Sequence, residues 1–190
     1  MTQNTTFANI IDCTVPLLAQ HGYAGTTMRT VADAAGVKSS VLYYYFADKA
    51  VLMRAVRQRL TMRLDEGMHN LPEVADAQSL LRQRLWFQLD ECEAIVCLLQ
   101  YFMAVKADFP LQNDGYVPER AYQHMRDIID RGVAEGCYVS DDPAFDAKTL
   151  THLVNGFLLE YYPHTLADTD KDALTERLAT FIERALKRIQ

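Results

Sequence analysis

The fold of this chain is decided by residues 22–49, which read GYAGTTMRTVADAAGVKSSVLYYYFADK. Two short helical patterns lie here on either side of one glycine. In the first pattern, small and apolar residues recur at helical spacing between Met28 and Ala35. Gly36 interrupts that pattern, and residues 39–45 form the second. Two helices joined by a short turn that contains glycine predict a helix-turn-helix, whose second helix can enter the major groove of DNA.

The outer face of this segment carries hydroxyl, guanidinium and ammonium groups, which suit phosphate oxygens and base edges. Two threonines stand where the first helix begins, and a helix N-terminus with hydroxyls is a natural seat for a phosphate. Of the tyrosines, we expect Tyr43 to lie partly in the core and Tyr44 to face outward. The residues that we expect to contact DNA are Thr26, Thr27, Arg29, Lys38, Ser39, Ser40, Tyr43, Tyr44, Tyr45 and Lys49.

The order of residues is more specific than that of a generic helix-turn-helix. A Gly-Tyr pair is followed by a Thr-Thr cap, by Ala-Ala-Gly-Val, and by Leu-Tyr-x-Tyr-Phe-x-x-Lys. This order resembles the DNA-binding domain of tetracycline-repressor (TetR) family regulators over about residues 6–56. The resemblance implies that Lys49 contacts a phosphate and that Tyr45 donates a hydrogen bond to one.

The same resemblance implies an all-α fold of about nine helices. Residues 1–47 would form a three-helix DNA-binding head, and residues 48–190 a larger helical body that binds a ligand and dimerises. The chain departs from the family at two positions, where Lys38 replaces a common serine cap and Ser40 replaces a common glycine. Because a lysine side chain cannot accept a backbone N–H bond, we expect Ser39 to cap the second motif helix.

Charge is distributed unevenly along the chain. The net charge is −6, but residues 1–64 carry seven Lys or Arg and three Asp, whereas residues 65–190 carry twelve basic and twenty-two acidic groups. The basic excess of the N-terminal third comes from four arginines between residues 54 and 63. Residues 1–50 are neutral, so we expect shape and base contacts to matter more than non-specific attraction to phosphates.

Several other classes of protein are disfavoured. No apolar run approaches the roughly 20 residues that span a membrane. No basic residue precedes Arg29, so the N-terminus does not resemble a secretory signal. Four cysteines without paired short spacing indicate reduced thiols in a cytoplasmic protein. The chain lacks the common catalytic, phosphate-loop and zinc motifs, so we expect no catalysis, no cofactor and no metal.

Helical spacing, caps and breakers predict further helices in the rest of the chain. A first helix should run from about residue 6 to 20, with a kink at Pro16 and an end at Gly22. The longest loop is expected at residues 109–118. The other predicted helices cover about residues 48–68, 76–93, 94–107, 118–135, 142–162 and 170–187.

The predicted body carries aromatic, soft and polar residues at helix-interior positions. A mainly apolar pocket with a few polar groups is the usual site for a small molecule, although for any single one of these residues a place in the ordinary core is the better explanation. The candidates are Trp86, Phe87, Asp90, Tyr101, Met125, His152 and Asn155. Helices 8 and 9 are the expected dimer surface, where Gly156 would allow close helix approach. On helix 9 one apolar stripe is expected, formed by Leu174, Leu178, Phe181, Ile182, Ala185, Leu186 and Ile189.

These observations favour a repressor that binds a double-stranded palindromic operator as a homodimer and is released by a small-molecule inducer. Two other functions remain open at the level of sequence. One is a constitutive DNA-binding regulator, or an activator, without an inducer. The other is a helical interaction protein whose head no longer binds DNA.

Overall fold

The computed structural model describes residues 3–106, 119–162 and 170–187. These residues contain nine α-helices and no β-strand, so the all-α prediction is confirmed. The predicted loop at 109–118 and Ile189 lie outside the described residues. The helices are α1 (Gln3–Gly25), α2 (Met28–Ala35), α3 (Ser39–Tyr45), α4 (Lys49–His69), α5 (Ala77–Asp90), α6 (Cys92–Lys106), α7 (Glu119–Ala134), α8 (Pro143–Tyr161) and α9 (Lys171–Ala185).

Five of the nine described helices begin at a side chain that caps the helix. Thr27 caps α2, and Thr30 bonds back to the backbone N–H of Thr27, which completes a capping box. Asp142 caps α8 directly before Pro143, which occupies the first turn. Aspartates also accept backbone N–H bonds at the starts of α4, α5 and α9, namely Asp48, Asp76 and Asp170.

Of the local expectations in the first third of the chain, one is confirmed and one is wrong. The first helical run breaks at Gly22 (φ 64°, ψ 179°), where its end was expected, while Pro16 lies inside the helix and a kink there stays a prediction. The N-cap of α3 is Lys38, and its side chain makes no capping bond, so Ser39 does not take over that role. Glycine reaches positive φ without steric penalty, which explains the break at Gly22.

The described helices fall into two compact units, one formed by α1–α4 with α6 and the other by α5, α7, α8 and α9. In the first unit, α2 packs on α1 and on α3. The side-chain amide of Asn9 donates to the carbonyl of Ala35 at 3.0 Å, which ties α1 to the end of α2. Arg59 on α4 bonds Asp12 on α1 at 3.1 Å.

In the second unit, α5 packs on α7 and α9, and α7 packs on α8. Three residues spaced by four on α5 bond to α9. Arg82 contacts Glu176 at 3.0 Å and Glu183 at 2.6 Å. The indole N–H of Trp86 donates to Asp172 at 2.9 Å, and Asp90 accepts from Lys171 at 2.6 Å. These residues form a polar seam along one face of α5.

The predicted stripe on α9 divides into two faces. Leu178, Ile182 and Leu186 are buried, whereas 56% of Phe181 is exposed and Ala185 is also exposed. One face of α9 therefore packs within the unit, whereas the adjacent face exposes the apolar ring of Phe181. Across the described ranges, none of the helices combines the length and the apolar character needed to cross a membrane.

Candidate DNA-binding surface and ligand residues

The turn between α2 and α3 is closed by the backbone of Gly36. This residue adopts the left-handed conformation (φ 65°, ψ 30°), and its N–H donates to the carbonyls of Ala32 and Asp33. The N–H of Val37 also donates to Ala32 at 3.0 Å. Such a left-handed C-cap favours glycine, because a side chain there would be strained. The turn ends α2 and allows α3 to begin at Ser39 in a new direction.

The short helix α3 separates a buried face from a polar one. Leu42 is fully buried and Phe46, which follows the helix, is 1% exposed. On the opposite face, Ser39 and Ser40 are exposed, and so are Tyr43 and Tyr44. Buried anchors on one side therefore hold a hydroxyl-rich surface on the other, which is the geometry that a recognition helix needs.

The three tyrosines of α3 differ in their environment, and our expectation for one of them is wrong. Tyr43 is 54% exposed rather than partly in the core, and Tyr44 is 70% exposed, as expected. The tyrosine that packs is Tyr45, which is half-buried. Its ring lies 6.1 Å from that of Phe7 on α1 and 5.1 Å from that of Tyr44, both in edge-to-face arrangements.

Lys49 is anchored rather than freely solvated. Its ammonium group donates to the backbone carbonyl of Tyr23 and lies 4.0 Å from the centroid of the Tyr23 ring. Partial burial lowers the pKa of Lys49, because desolvation penalises the charged form. An ammonium has three donors, so two remain to bond a phosphate oxygen.

At the start of α2 the two threonines have different roles. Thr27 is exposed and caps the helix. Thr26 is fully buried, and its hydroxyl donates to the carbonyl of Gly22 at 2.9 Å. The expectation that Thr26 caps α2 is therefore wrong, and its buried hydroxyl cannot reach a phosphate. Arg29 and Lys38 are both exposed, and Arg29 lies 4.0 Å from Asp33 in a surface pair.

The segment that carries this surface is similar to one family of known regulators. Residues 10–56 match the family model described as bacterial regulatory proteins, tetR family. The N-terminal domain of this chain is thus a TetR-family DNA-binding domain. The chain is therefore a DNA-binding transcriptional regulator and not an enzyme.

Curated TetR proteins match beyond the head. The tetracycline repressor protein class D of Escherichia coli is 26% identical over 182 residues, covering 94% of this chain and 77% of that protein. The regulator BetI of Paraburkholderia xenovorans is 36% identical over 77 residues, which is 40% of each chain.

Solved structures of TetR-family regulators share the fold. PfmR of Thermus thermophilus superposes with a TM-score of 0.74 at 20% identity, covering 94% of this chain and 99% of that one. A regulator of Saccharomonospora viridis, solved in complex with choline, gives a TM-score of 0.75 at 23% identity, covering 98% and 100%. At these identities the likeness concerns the fold.

The residues predicted to bind a ligand do not lie on one face. Trp86 and Asp90 belong to the polar seam with α9, where both are bonded and exposed. Phe87 and Met125 are buried, at 8% and 1% exposure. Tyr101 is also buried, on α6 in the other unit. A ligand role for these residues stays a prediction.

The two predicted residues on α8 also differ. His152 is exposed, and its ring nitrogen lies 3.3 Å from the hydroxyl of Tyr122 on α7. Asn155 is half-buried. Both still await a test as ligand contacts.

Sequence reasoning missed two buried polar residues, Arg84 and Gln88, which are 4% and 5% exposed. A signal for them was present, because they share the spacing of Leu81 and Leu85. Positions 81, 84, 85 and 88 form one helical stripe that faces the core.

Proposed function

We propose that this TetR-family protein is a repressor that binds a palindromic operator as a homodimer and is released by a small molecule. The observation that carries the proposal is the polar, exposed face of α3 held by buried Leu42 and Phe46. In this proposal α3 of each subunit enters one of two adjacent major grooves, about one helical turn apart. Residues 1–47 act as the DNA-binding domain and residues 48–190 as the ligand-binding and dimerisation domain, in the cytoplasm.

The DNA contacts are divided by position. Ser39, Ser40, Tyr43 and Tyr44 face outward on α3 and are assigned to base edges and phosphates. Lys38 precedes them as an exposed cation. The flanking contacts to the phosphate backbone are assigned to Thr27, Arg29, Tyr45 and Lys49. Thr26 is removed from the set because it is fully buried.

Dimerisation through α8 and α9 is supported by exposed apolar groups on both helices. On α8, Leu153 and Tyr161 are each 38% exposed, and Tyr161 stacks on Phe157 with ring centroids 4.2 Å apart. On α9, Phe181 is 56% exposed. Exposed apolar groups are typical of an interaction surface, and a palindromic operator requires a two-fold symmetric protein.

Release by a small molecule is the remaining part of the proposal. This part is supported by the structural likeness to the regulator of Saccharomonospora viridis, which was solved in complex with choline. If a ligand binds the body and favours a head spacing that no longer fits the operator, then DNA and ligand must weaken each other's binding equally.

The test is binding of the protein to the duplex upstream of its own gene, titrated at two salt concentrations. Tight, site-selective binding that weakens with salt supports the repressor. A Lys49→Ala, Tyr45→Phe double variant should bind that duplex more weakly. Unchanged affinity in the double variant would contradict the contact assignment and favour an interaction protein that has lost DNA binding.

Binding of DNA without any response to ligand would instead favour a constitutive regulator or an activator. This outcome is recognised when a small molecule raises the melting temperature of the protein but leaves its affinity for the operator unchanged. A reporter gene placed behind the operator then distinguishes repression from activation.

A further inference from the structure

Arg84 is a buried cation without a carboxylate partner within hydrogen-bond distance among the described residues. It lies on α5, with 4% of its surface exposed. One terminal nitrogen donates to the backbone carbonyl of Ala121 on α7 at 3.0 Å, and the Nε atom has no acceptor in the described part of the chain. Asp127 acts on it only through its charge. Burial lowers the pKa of Arg84 to about 10, so the guanidinium is still charged at neutral pH.

Gln88 lies one turn further along the same face of α5. It is 5% exposed, and its side-chain oxygen accepts no hydrogen bond from any described residue. Residues four apart on a helix are neighbours on its surface. Two buried side chains with unsatisfied polar atoms are therefore neighbours on one face of α5, and the first of them bonds α7.

Buried apolar side chains lie on the same helix faces as this pair. Leu81 and Leu85 on α5 are fully buried, and Met125, one turn after Ala121 on α7, is 1% exposed. A guanidinium in such surroundings loses its hydration, and one carbonyl replaces only part of it. The contrast with Arg82 on the same helix is direct, because Arg82 bonds two carboxylates at the edge of the unit.

We propose that Arg84 and Gln88 are the polar contacts for an oxyanion-bearing organic ligand in the body of the protein. The guanidinium would bond the carboxylate or phosphate group of the ligand, and the amide of Gln88 would bond a second polar atom. Buried Leu85 and Met125 would contact its apolar part. This proposal rests on the proposed function, since it assigns the chemical class of the small molecule.

The buried charge sets the direction of selectivity. A guanidinium matches the geometry of an oxyanion and forms paired, charge-assisted hydrogen bonds with it. A quaternary ammonium ligand would meet a like charge at the same place. The proposal therefore predicts that anionic ligands bind here and that cationic ones do not.

The first experiment measures the melting temperature of the full-length protein with three anions: hexanoate, benzoate and phenyl phosphate. The controls are hexanamide, benzamide and phenol as neutral counterparts, choline chloride as the cation, and sodium chloride at equal ionic strength. At least one anion should raise the melting temperature in a concentration-dependent manner. A response to benzoate or hexanoate alone indicates a carboxylate, and a response to phenyl phosphate alone indicates a phosphate ester.

The second experiment repeats the titration with Arg84→Met. The anion that stabilises the wild type should bind this variant about 30-fold more weakly or worse, because the oxyanion loses its charged partner. Arg84→Lys should retain part of the affinity. Arg126→Met, which removes an exposed arginine on α7, should bind the anion as the wild type does. Anion binding that persists in Arg84→Met contradicts the proposal, and so does the absence of binding by all three anions.

The free protein supplies a test that needs no ligand. If Arg84 is held in place for a ligand, replacing it with apolar methionine should leave the melting temperature equal or higher. A fall larger than that of Arg126→Met shows a structural role for the bond to Ala121, and the proposal is then wrong. Because neither measurement involves DNA, titration of the operator duplex with the same preparations tests the repressor proposal separately.

Discussion

The DNA-binding head and the second unit differ in where their polar side chains lie and whether these are hydrogen-bonded. Around α2 and α3 the polar groups are either exposed, as in Ser39 and Tyr44, or bonded locally, as in Thr27 with its own helix. In the second unit several polar atoms are buried without a hydrogen-bond partner among the described residues. These belong to Arg84, Gln88, Tyr138, Thr151 and Thr175.

This difference indicates where each unit can bind. A surface that reads DNA needs hydroxyls and cations in water, because the partner arrives from outside. A small-molecule site needs a few polar groups inside an apolar environment, and those groups destabilise the empty protein. We therefore expect substitutions in the head to change DNA affinity with modest effects on folding. Substitutions that overpack the buried core of the second unit should lower its stability strongly.

The largest effect is expected for Gly132→Ala in the second unit. A methyl group at this position on α7 would lie 2.0 Å from the Cδ2 atom of Tyr138, which is only 2% exposed. Overpacking a stiff buried ring should lower the free energy of unfolding by about 3 kcal/mol. Trp86 is the only tryptophan and lies in this unit, so its fluorescence during urea unfolding reports the change.

Gly156→Ala is the matched control for this substitution. A methyl group at Gly156 on α8 meets nothing within 4 Å in the described structure. Alanine in an exposed helix should raise the stability of the unit by up to about 1 kcal/mol. Weaker dimerisation of the same variant in sedimentation would support close helix approach at this point. Equal losses of stability in the two variants would contradict the packing around Tyr138.

A smaller effect on free energy is expected for Lys49→Ala in the head, measured as DNA affinity. Loss of one charge-assisted contact to a phosphate should weaken operator binding about tenfold. It should also reduce by about one the slope of the logarithm of the binding constant against the logarithm of the salt concentration. Lys148→Ala, an exposed lysine on α8, is the control and should leave both quantities unchanged. If Lys49→Ala retains full affinity and slope, its ammonium serves only the contact with Tyr23.

Thr27→Ala should destabilise α2 locally by about 1 kcal/mol, because the helix loses its capping hydroxyl. Hydrogen exchange of the α2 amides measures this loss. Thr149→Ala, at an exposed position inside α8, should produce no comparable loss. Unchanged exchange in α2 would show that its N-terminus is held by other bonds.

The sequence predicted features that depend on neighbours along the chain, such as the cap Thr27 and the turn at Gly36. Features set by packing between helices were harder to predict. Tyr43 was expected partly in the core, whereas the tyrosine that packs on α1 is Tyr45, because the position of Phe7 decides which ring is covered.

The ligand candidates show the same limit. Trp86 and Asp90 were chosen by residue type, but the face that each presents on α5 was not determined. The face of Arg84 could be predicted from its spacing with Leu81 and Leu85. Its lack of a carboxylate partner could not, because that depends on which backbone carbonyl of α7 lies opposite.

The smallest effect is the loss of stability in acid. It is expected at the start of α5 but not at the start of α2. Asp76 accepts a backbone N–H bond from Ser79, and Glu135 accepts one from Ala77. These bonds favour the charged carboxylates and hold the pKa of both groups below their ordinary values of 3.8 and 4.5. Both groups therefore contribute stability above the ordinary pKa, and this is lost as the pH falls through the lower pKa of the folded state.

Trp86 fluorescence should accordingly report a constant melting temperature between about pH 7 and pH 5, and a decrease below about pH 4. Asp76→Asn keeps an oxygen that can cap α5 but cannot titrate in this range. The variant should melt at a lower temperature than the wild type at neutral pH, because it lacks the contribution of the charged carboxylate, and it should lose less stability in acid. If Asp76→Asn and Glu135→Gln both lose stability in acid as the wild type does, then the acid sensitivity belongs to other carboxylates. The capping box of α2 consists of threonines, so its hydrogen exchange should not show this acid dependence.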